Sequence, residues 1–433
     1  AIIGLTAFSS CSSSKLIPEK KYLLDKVEIH SDDDRLDPRP FEAYIRQRAN
    51  SRWFTLFKIP LGTYAMAGKD STKWINRTLR RMGEKPVIYD SVQARLSCED
   101  LQLSLQNMGY MGSSVSIATK AKGKKLTAIY TLHPRSPYYV KSIDYNIEDE
   151  NIEKLLRNSY LSNPIVKKGG RFSVNDLNQE RNKITSILLD NGYYRFNKDF
   201  ITYTADSVKG DRGIALTMYL HKFMESDDTE KTNHTRYTIR KVTFTDADSI
   251  RIPIRRSVLD NKCRIEEGSP FSATKLRETY NNFGRLGAVK YTNIQFKESA
   301  SDSLDCNILL SINKPRAISF QPEGTNTAGN LGAAATLTYQ NRNLFRGSEL
   351  LSIELRAAFE AITGLEGYQN QDYEEYGLKT SLAFPWFVAP FLSNSFKRDN
   401  NGTSELSIAY NLQNRPEFHR RVFSAQWEYK WTE

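Results

Sequence analysis

From Asn330 onward the chain alternates apolar and polar residues in runs of about ten, the pattern of strands that cross a membrane as part of a closed barrel. Successive side chains in a strand point to opposite faces, so Leu331, Ala333, Ala335, Leu337 and Tyr339 fall on one side. Gly332, Ala334, Thr336, Thr338 and Gln340 fall on the other. A second run sets Leu351, Ile353, Leu355, Ala357 and Phe359 against Ser352, Glu354, Arg356 and Glu360. Three more runs carry Tyr376, Leu378, Leu382 and Phe384; then Leu406, Ile408, Tyr410 and Leu412; then Phe423, Ala425, Trp427, Tyr429 and Trp431. The apolar side is expected to face hydrocarbon and the polar side a lumen, with Tyr, Trp and Phe at the run ends forming a girdle at the membrane–water boundary. An antiparallel sandwich with one wet face is the competing reading of the same alternation. Five strands cannot close a barrel, because the smallest bacterial ones have about eight and an open edge in hydrocarbon leaves backbone groups unpaired. Further strands are therefore expected beyond Glu433, and Ala1 is not an initiator methionine.

With 433 residues there is room for three or four domains at about 150 residues each. A mean hydropathy of -0.55 and the absence of a run of about 18 apolar residues exclude a helical membrane protein, so any spanning is by strands. The net charge of +11 is dispersed. The clusters Lys120 to Lys125 and Arg251 to Arg256 have no helix-turn-helix or zinc-finger context, so they read as solvated faces and no nucleic-acid partner is expected. Anionic lipid headgroups suit such a surface. Cys98, Cys263 and Cys306 are widely separated; only the last two share a domain, which leaves a disulfide between them open. Cys11 closes the apolar stretch Ile2 to Phe8 with its small residues Ser9 and Ser10, and Ser12, Ser13, Ser14 and Lys15 follow. That arrangement resembles a bacterial lipoprotein signal with Cys11 as the acylated residue, residues 1–21 being signal remnant and linker. A plain signal peptide with an incidental cysteine is the alternative.

The middle of the chain repeats one unit. Its clearest copy, 137–224, has a strand at Tyr138 to Asn146, a helix at Asn151 to Leu161 and a link through Gly169 and Gly170. A second helix follows, N-capped by Ser173, with Leu177, Ile184, Ile187 and Leu188 as its inward stripe. It ends at Gly192, Tyr193 and Tyr194, and the strands Lys198 to Ala205 and Gly213 to Phe223 complete the unit. The copy in 236–315 has a strand at Tyr237 to Thr245 and a link Glu267 to Phe271 that echoes Gly170 to Phe172. Its helix is capped by Ser272, and strands at Val289 to Lys297 and Leu304 to Ile312 close it. A more diluted copy in 22–134 carries an insertion at 52–86. It has a strand at Tyr22 to His30, helices at Pro40 to Asn50 and Ser97 to Met108, a Gly109–Tyr110 ending, and strands Ser113 to Thr119 and Leu126 to Leu132. The barrel strands are placed in 328–433.

This unit resembles the POTRA module, and tandem modules running into a barrel resemble the BamA and TamA superfamily of outer-membrane assembly factors. Thr338 to Gly347 is similar to that family's first barrel hairpin through Asn341, Asn343, Leu344, Phe345 and Gly347. The lipoprotein start and the insertion look most like the TamA-like lipoproteins of Bacteroidota. The resemblance implies an α+β chain of tandem POTRA modules in the periplasm, followed by the first part of an antiparallel transmembrane barrel in the outer membrane. It implies that sheet edges of the modules accept unfolded outer-membrane protein clients by β-augmentation and pass them to the barrel. Outer-membrane lipids are expected partners, and inner-membrane or periplasmic proteins are candidates. The seam strand it points to is Asn330 to Tyr339, carrying Gly329, Gly332, Ala333, Ala335, Leu337 and Tyr339, where the two glycines and the three alanines Ala333 to Ala335 pack little side-chain mass. Relief of crowding in a tilted barrel explains the same small residues.

No catalytic constellation is visible. His30, His133, His221, His234 and His419 lack a two-His helical spacing for zinc, and there is neither a nucleophile elbow nor a phosphate-binding glycine loop. Asp32, Asp33 and Asp34 beside Arg35 read as a solvated loop without calcium-site spacing. The expectation is a non-enzyme without cofactor. A two-partner-type secretion pore and a surface lipoprotein with a β-sandwich adhesin domain remain the alternatives.

Overall fold

The computed structural model describes residues 17–19, 21–51, 59–67, 70, 72–207, 211–224, 230–246, 252–300, 302–327, 330–361, 372–393, 396–397, 400, 402–415 and 418–431. Two compact units divide the chain, 1–184 with 198–227, and 185–197 with 228–433.

The first unit begins with β1 (Leu23–Ser31) and a 3-10 turn over Arg39–Tyr44. The insertion supplies α1 (Ile59–Met66) and α2 (Trp74–Met82), and then α3 (Ser91–Asn107), β2 (Ser114–Lys122) and β3 (Lys125–His133) complete the module. The sheet order is β1-β3-β2, with β3 parallel to β1 and antiparallel to β2. The central strand takes its place because Leu126, Ala128, Tyr130 and Leu132 alternate inward, so one face meets the helix layer and the other is wet. Two local expectations are corrected. The helix expected over Pro40 to Asn50 is only a 3-10 turn, because the Asn50 side chain is tied to Lys85 O at 2.8 Å and Val87 N at 3.0 Å, which draws the chain out beside an extended segment. The helix expected from Ser97 starts at Ser91, because Asp90 is its N-cap and accepts the N–H groups of Val92 and Gln93. Ser97 is mid-helix and bonds back to Gln93 O at 2.8 Å.

The next module has β4 (Tyr139–Ile147), α4 (Glu150–Ser159), α5 (Val174–Asp190), β5 (Ile201–Ser207) and β6 (Gly213–Leu220). Its order is β4-β6-β5, again with the last strand central and parallel to the first. Asp149, fully buried, caps α4, and Ser173 Oγ accepts Asp176 N–H at 3.2 Å in the first turn of α5. Val140, Val166, Phe172, Leu177, Ile214 and Leu216 form one core cluster. Beside it the buried Glu180 carboxylate accepts Val166 N–H at 2.8 Å, Tyr145 O–H at 3.3 Å and Tyr203 O–H at 3.4 Å. Burial pushes the Glu180 carboxyl above its ordinary range.

In the second unit β7 (Thr238–Asp246), α6 (Arg256–Lys262), α7 (Ala273–Gly284), β8 (Val289–Ala300) and β9 (Ser303–Ile312) repeat the pattern with order β7-β9-β8. Leu304, Cys306, Ile308 and Leu310 point inward from β9 into this module's core. The disulfide left open between Cys263 and Cys306 is absent, and both are free thiols; burial pushes the Cys306 thiol up to about 12.

Six antiparallel strands follow in sequence order: β10 (Arg316–Thr327), β11 (Asn330–Asn341), β12 (Leu350–Glu360), β13 (Tyr373–Phe384), β14 (Thr403–Arg415) and β15 (Phe418–Lys430). The sheet therefore starts at Arg316, ahead of the expected 328. Pro322 and Gly324 interrupt the alternation in β10 and hide it from a pattern reading.

Candidate functional site

Each three-stranded sheet has two edges, and the fold treats them differently. The edge of the first strand is closed near its start by the link that precedes the second helix. Val140 N–H donates to Gly170 O at 2.8 Å and Gly169 N–H to Val140 O at 2.7 Å; Ile239 N–H donates to Ser269 O at 2.8 Å and Gly268 N–H to Ile239 O at 2.7 Å. Gly169 and Gly268, at φ +81° and +77°, make the turn that brings the link alongside. Glu267 Oε1 accepts a further β7 donor, Val242 N–H, at 2.8 Å. On the opposite side no strand pairs with the outer edges of β2, β5 or β8 among the described residues. At twelve residues β8 is the longest of these open edges, and its side chains Asn293, Gln295 and Lys297 are exposed.

The Gly-Tyr helix endings are joints. Gly109 O accepts Tyr138 N–H at 2.9 Å, and Arg171 donates to Tyr110 O–H at 3.2 Å while lying over its ring. At the corresponding place in the second unit, Gly192 O accepts Tyr237 N–H at 2.7 Å. Tyr194 packs edge-on against Phe271, ring centres 5.0 Å apart, and Arg195 grips Glu298 through two bonds of 2.7 and 2.8 Å. Asp190, the last residue of α5, accepts Thr274 N–H at 2.7 Å at the start of α7. Arg195 holds the Glu298 carboxyl below its ordinary range.

The expected hairpin residues lie together in the turn between β11 and β12, which docks on the preceding module. Asn341 Oδ1 accepts Asn343 N–H at 3.1 Å, and Asn343 reaches Pro253 O at 3.0 Å through its amide. Leu344 N–H meets Glu349 O at 3.3 Å. The residue that organises the turn is one sequence reasoning missed. Glu349, 1% exposed, accepts Phe345 N–H at 3.0 Å and Gly347 N–H at 2.9 Å through Oε2, and Arg255 at 3.0 Å through Oε1. Arg255 N–H in turn donates to Arg346 O at 2.7 Å, and Ser348 Oγ accepts Ala288 N–H at 2.9 Å. Arg346 and Ser348 sit at φ +62° and +66°, a strained conformation for residues with a side chain that the bonds to Glu349, Arg255 and Ala288 hold in place. The basic cluster read as a solvated face is thus partly spent on contacts: Arg255 on Glu349, and Arg256 on Asp260 and the Phe244 ring. Nearby, buried Lys262 donates to Pro385 O at 2.7 Å; burial lowers its ammonium to about 8.

In the six-stranded sheet the register aligns Phe320, Leu337, Leu355, Leu378, Tyr410 and Phe423 in one exposed apolar row. The next row on the other face reads Ser319, Thr338, Glu354, Lys379, Ala409 and Ser424. On that polar face Arg356 donates to Glu323 at 3.2 Å, and Glu375 accepts Asn411 at 2.7 Å. The seam expected at Asn330 to Tyr339 is corrected. Ala333, Ala335, Leu337 and Tyr339 belong to β11, which pairs with β10 on one side and β12 on the other, so β10 is the edge strand. Gly332 is there for close approach, since a Cβ would lie 2.5 Å from Thr325 Oγ1 and 2.6 Å from Phe359 O. Cys11 and Gly329 lie outside the described residues.

A repeated clamp was also illegible in the sequence. His133 bridges Asp32 and Ser116 Oγ, the latter at 2.9 Å, and His221 bridges Glu148 at 3.1 Å and Thr202 Oγ1 at 2.9 Å. Each ties together the ends of the three strands of its module, and Asp33 is paired with Arg35, so the acidic run is used locally.

Tandem strand-helix-helix-strand-strand modules feeding an antiparallel sheet with one apolar and one polar face define the class: POTRA-type modules followed by a six-stranded sheet that resembles part of a β-barrel. No family model and no curated protein matches the chain. Among solved structures, BamA from Haemophilus ducreyi lacking POTRA domains 1–3 is similar at 15% identity and TM-score 0.39, covering 67% of this chain and 58% of that one. Haemophilus influenzae BamA POTRA3–5 is similar at 12% identity and TM-score 0.35, covering 68% of this chain and 99% of that one. CdiB from Acinetobacter baumannii is similar at 9% identity and TM-score 0.33, covering 68% and 58%. The chain spans 58% of the length of the first BamA structure it matches.

Proposed function

We propose that this chain is an outer-membrane protein assembly factor, a non-enzyme whose periplasmic modules receive unfolded client strands on their open edges and deliver them to the barrel. The observation that carries the reading is the pairing of open β2, β5 and β8 edges with a module fastened to the barrel through Arg255 and Glu349. An open edge offers a ladder of N–H and C=O groups to any extended chain, giving affinity without a sequence requirement. With β10 at the sheet edge, a templating seam belongs to β10, where Pro322 removes an N–H and Gly324 supplies no side chain to pack. The finer assignment is a TamA-like lipoprotein acylated at Cys11, working beside inner-membrane or periplasmic partners, and Cys11→Ala would abolish its lipid labelling.

The test is photocrosslinking in cells, with p-benzoylphenylalanine at Asn293 or Gln295 on β8 and at Arg240 on β7, an edge already occupied at its start. Adducts with newly exported barrel proteins from β8 and not from β7 are the expected result. A single dedicated secreted partner in place of many barrel clients would favour a two-partner pore, and no adduct at β8 would remove the augmentation reading.

A further inference from the structure

Barrels keep their periplasmic turns short, yet residues 385–402 between β13 and β14 form a long connection on the side facing the third module. Its first residues touch that module: Pro385 O accepts Lys262, and Trp386 packs against the module core. Phe387, Phe391 and Phe396 turn away, onto the apolar face of the sheet. Phe387 is buried among Phe396 at 5.9 Å, Tyr429 at 6.2 Å and Trp431 at 6.2 Å. Tyr429 O–H donates to Val388 O at 3.2 Å, and Gly402 lies so close to the Phe387 ring that no Cβ fits. Tyr429 pairs with Ser404, two residues from the Leu406–Trp427 pair that continues the apolar row through Leu382 and Leu351. Phe391 stands edge-on to Tyr429 at 6.2 Å with 74% of its surface exposed, and Phe396 is 40% exposed.

We infer that residues 387–393 and 396–397 lie in the periplasmic leaflet of the membrane, with Phe391 and Phe396 at the boundary between phospholipid headgroups and acyl chains. The commitment to lipid follows from continuity, because the exposed rings extend the same face that carries Phe320, Leu337, Leu355 and Leu378. Aromatic side chains favour that boundary, where an apolar body and a wet edge are both satisfied. The loop would then bind lipid on one side and the third module on the other, through Trp386 and Lys262, fixing the depth of that module against the bilayer surface. This inference rests on the barrel reading.

The experiment places p-benzoylphenylalanine at Phe391, at Ile318 on the apolar face of β10, or at the exposed Tyr139 in the second module, in the full chain reconstituted in phosphatidylethanolamine–phosphatidylglycerol vesicles with tritiated acyl chains. Irradiation is expected to transfer label to the protein from positions 391 and 318 and not from 139. Label at 318 with none at 391, or a 391 adduct only with the chain's own downstream strands, overturns the inference and leaves the barrel standing. No label at either position overturns both.

Discussion

At the scale of single residues, the joints depend on backbone that side chains would obstruct. Gly109 sits at φ +93° with its missing Cβ inside contact distance of Phe172 O, whereas Gly123, at φ +62°, has nothing near it. Gly123→Ala should therefore cost only the left-handed strain, about 1–2 kcal/mol. Gly109→Ala should cost that plus a backbone displacement, at least about 2 kcal/mol, read as faster amide exchange at Tyr138 and Phe172. Gly-Tyr was legible as a helix ending; its role in the next module was not, because Gly109 and its neighbours Tyr138 and Phe172 are far apart in sequence. Glu180 gives the second residue-scale prediction. Burial raises its carboxyl from 4.5, so the folded state binds the proton more tightly than the unfolded one. The stability this provides is full below about pH 4.5 and is lost as pH rises through the raised value. Glu180→Gln, which mimics the protonated form, should slow opening of α5 relative to the parent at about pH 8, with the gap closing below about pH 4.5, measured by hydrogen exchange corrected for intrinsic rates.

At the scale of elements, the turn between β11 and β12 is where the third module is bonded to the six-stranded sheet. Removing the Glu349 carboxylate strands two backbone donors and one guanidinium, so Glu349→Ala should weaken the turn by about 3 kcal/mol. Glu349→Gln keeps an acceptor and should lose less. The readout is exchange at residues 253–256 and 343–349, with β12 to β14 unchanged as control. Asn341, Asn343, Leu344, Phe345 and Gly347 were legible as a hairpin through their resemblance to a known family's first barrel hairpin. Arg255 and Glu349 were not, since their pairing spans two domains and neither has a local signature. The same reason hid the His133 and His221 clamps. Central strands, by contrast, declared themselves through alternation, as in Leu304, Cys306, Ile308 and Leu310, and capped helices through Ser173 and Ser272.

At the scale of the whole molecule, the fold class was readable because two periodicities alternate along the chain and then one takes over: helix and strand by turns through residue 312, and the six strands β10 to β15 afterwards. What escaped was β10, whose Pro322 and Gly324 break the very alternation by which its neighbours are recognised, and its recovery shifts the open edge of the sheet by one strand. The two faces of that sheet should differ in their tolerance of charge. Leu355 lies mid-strand in the exposed row with Leu337 and Leu378, so in the proposed barrel Leu355→Arg would hold a guanidinium in hydrocarbon, a destabilisation of about 2–4 kcal/mol near the midplane. Ser407, aligned with Ser381 and Gln426 on the polar face, should accept Arg with little loss. Urea titration of the full protein refolded into phospholipid vesicles separates the two, the midpoint falling for Leu355→Arg and holding for Ser407→Arg. If both variants instead behave alike, the apolar row faces no hydrocarbon, and the sheet is an ordinary antiparallel layer with one wet side.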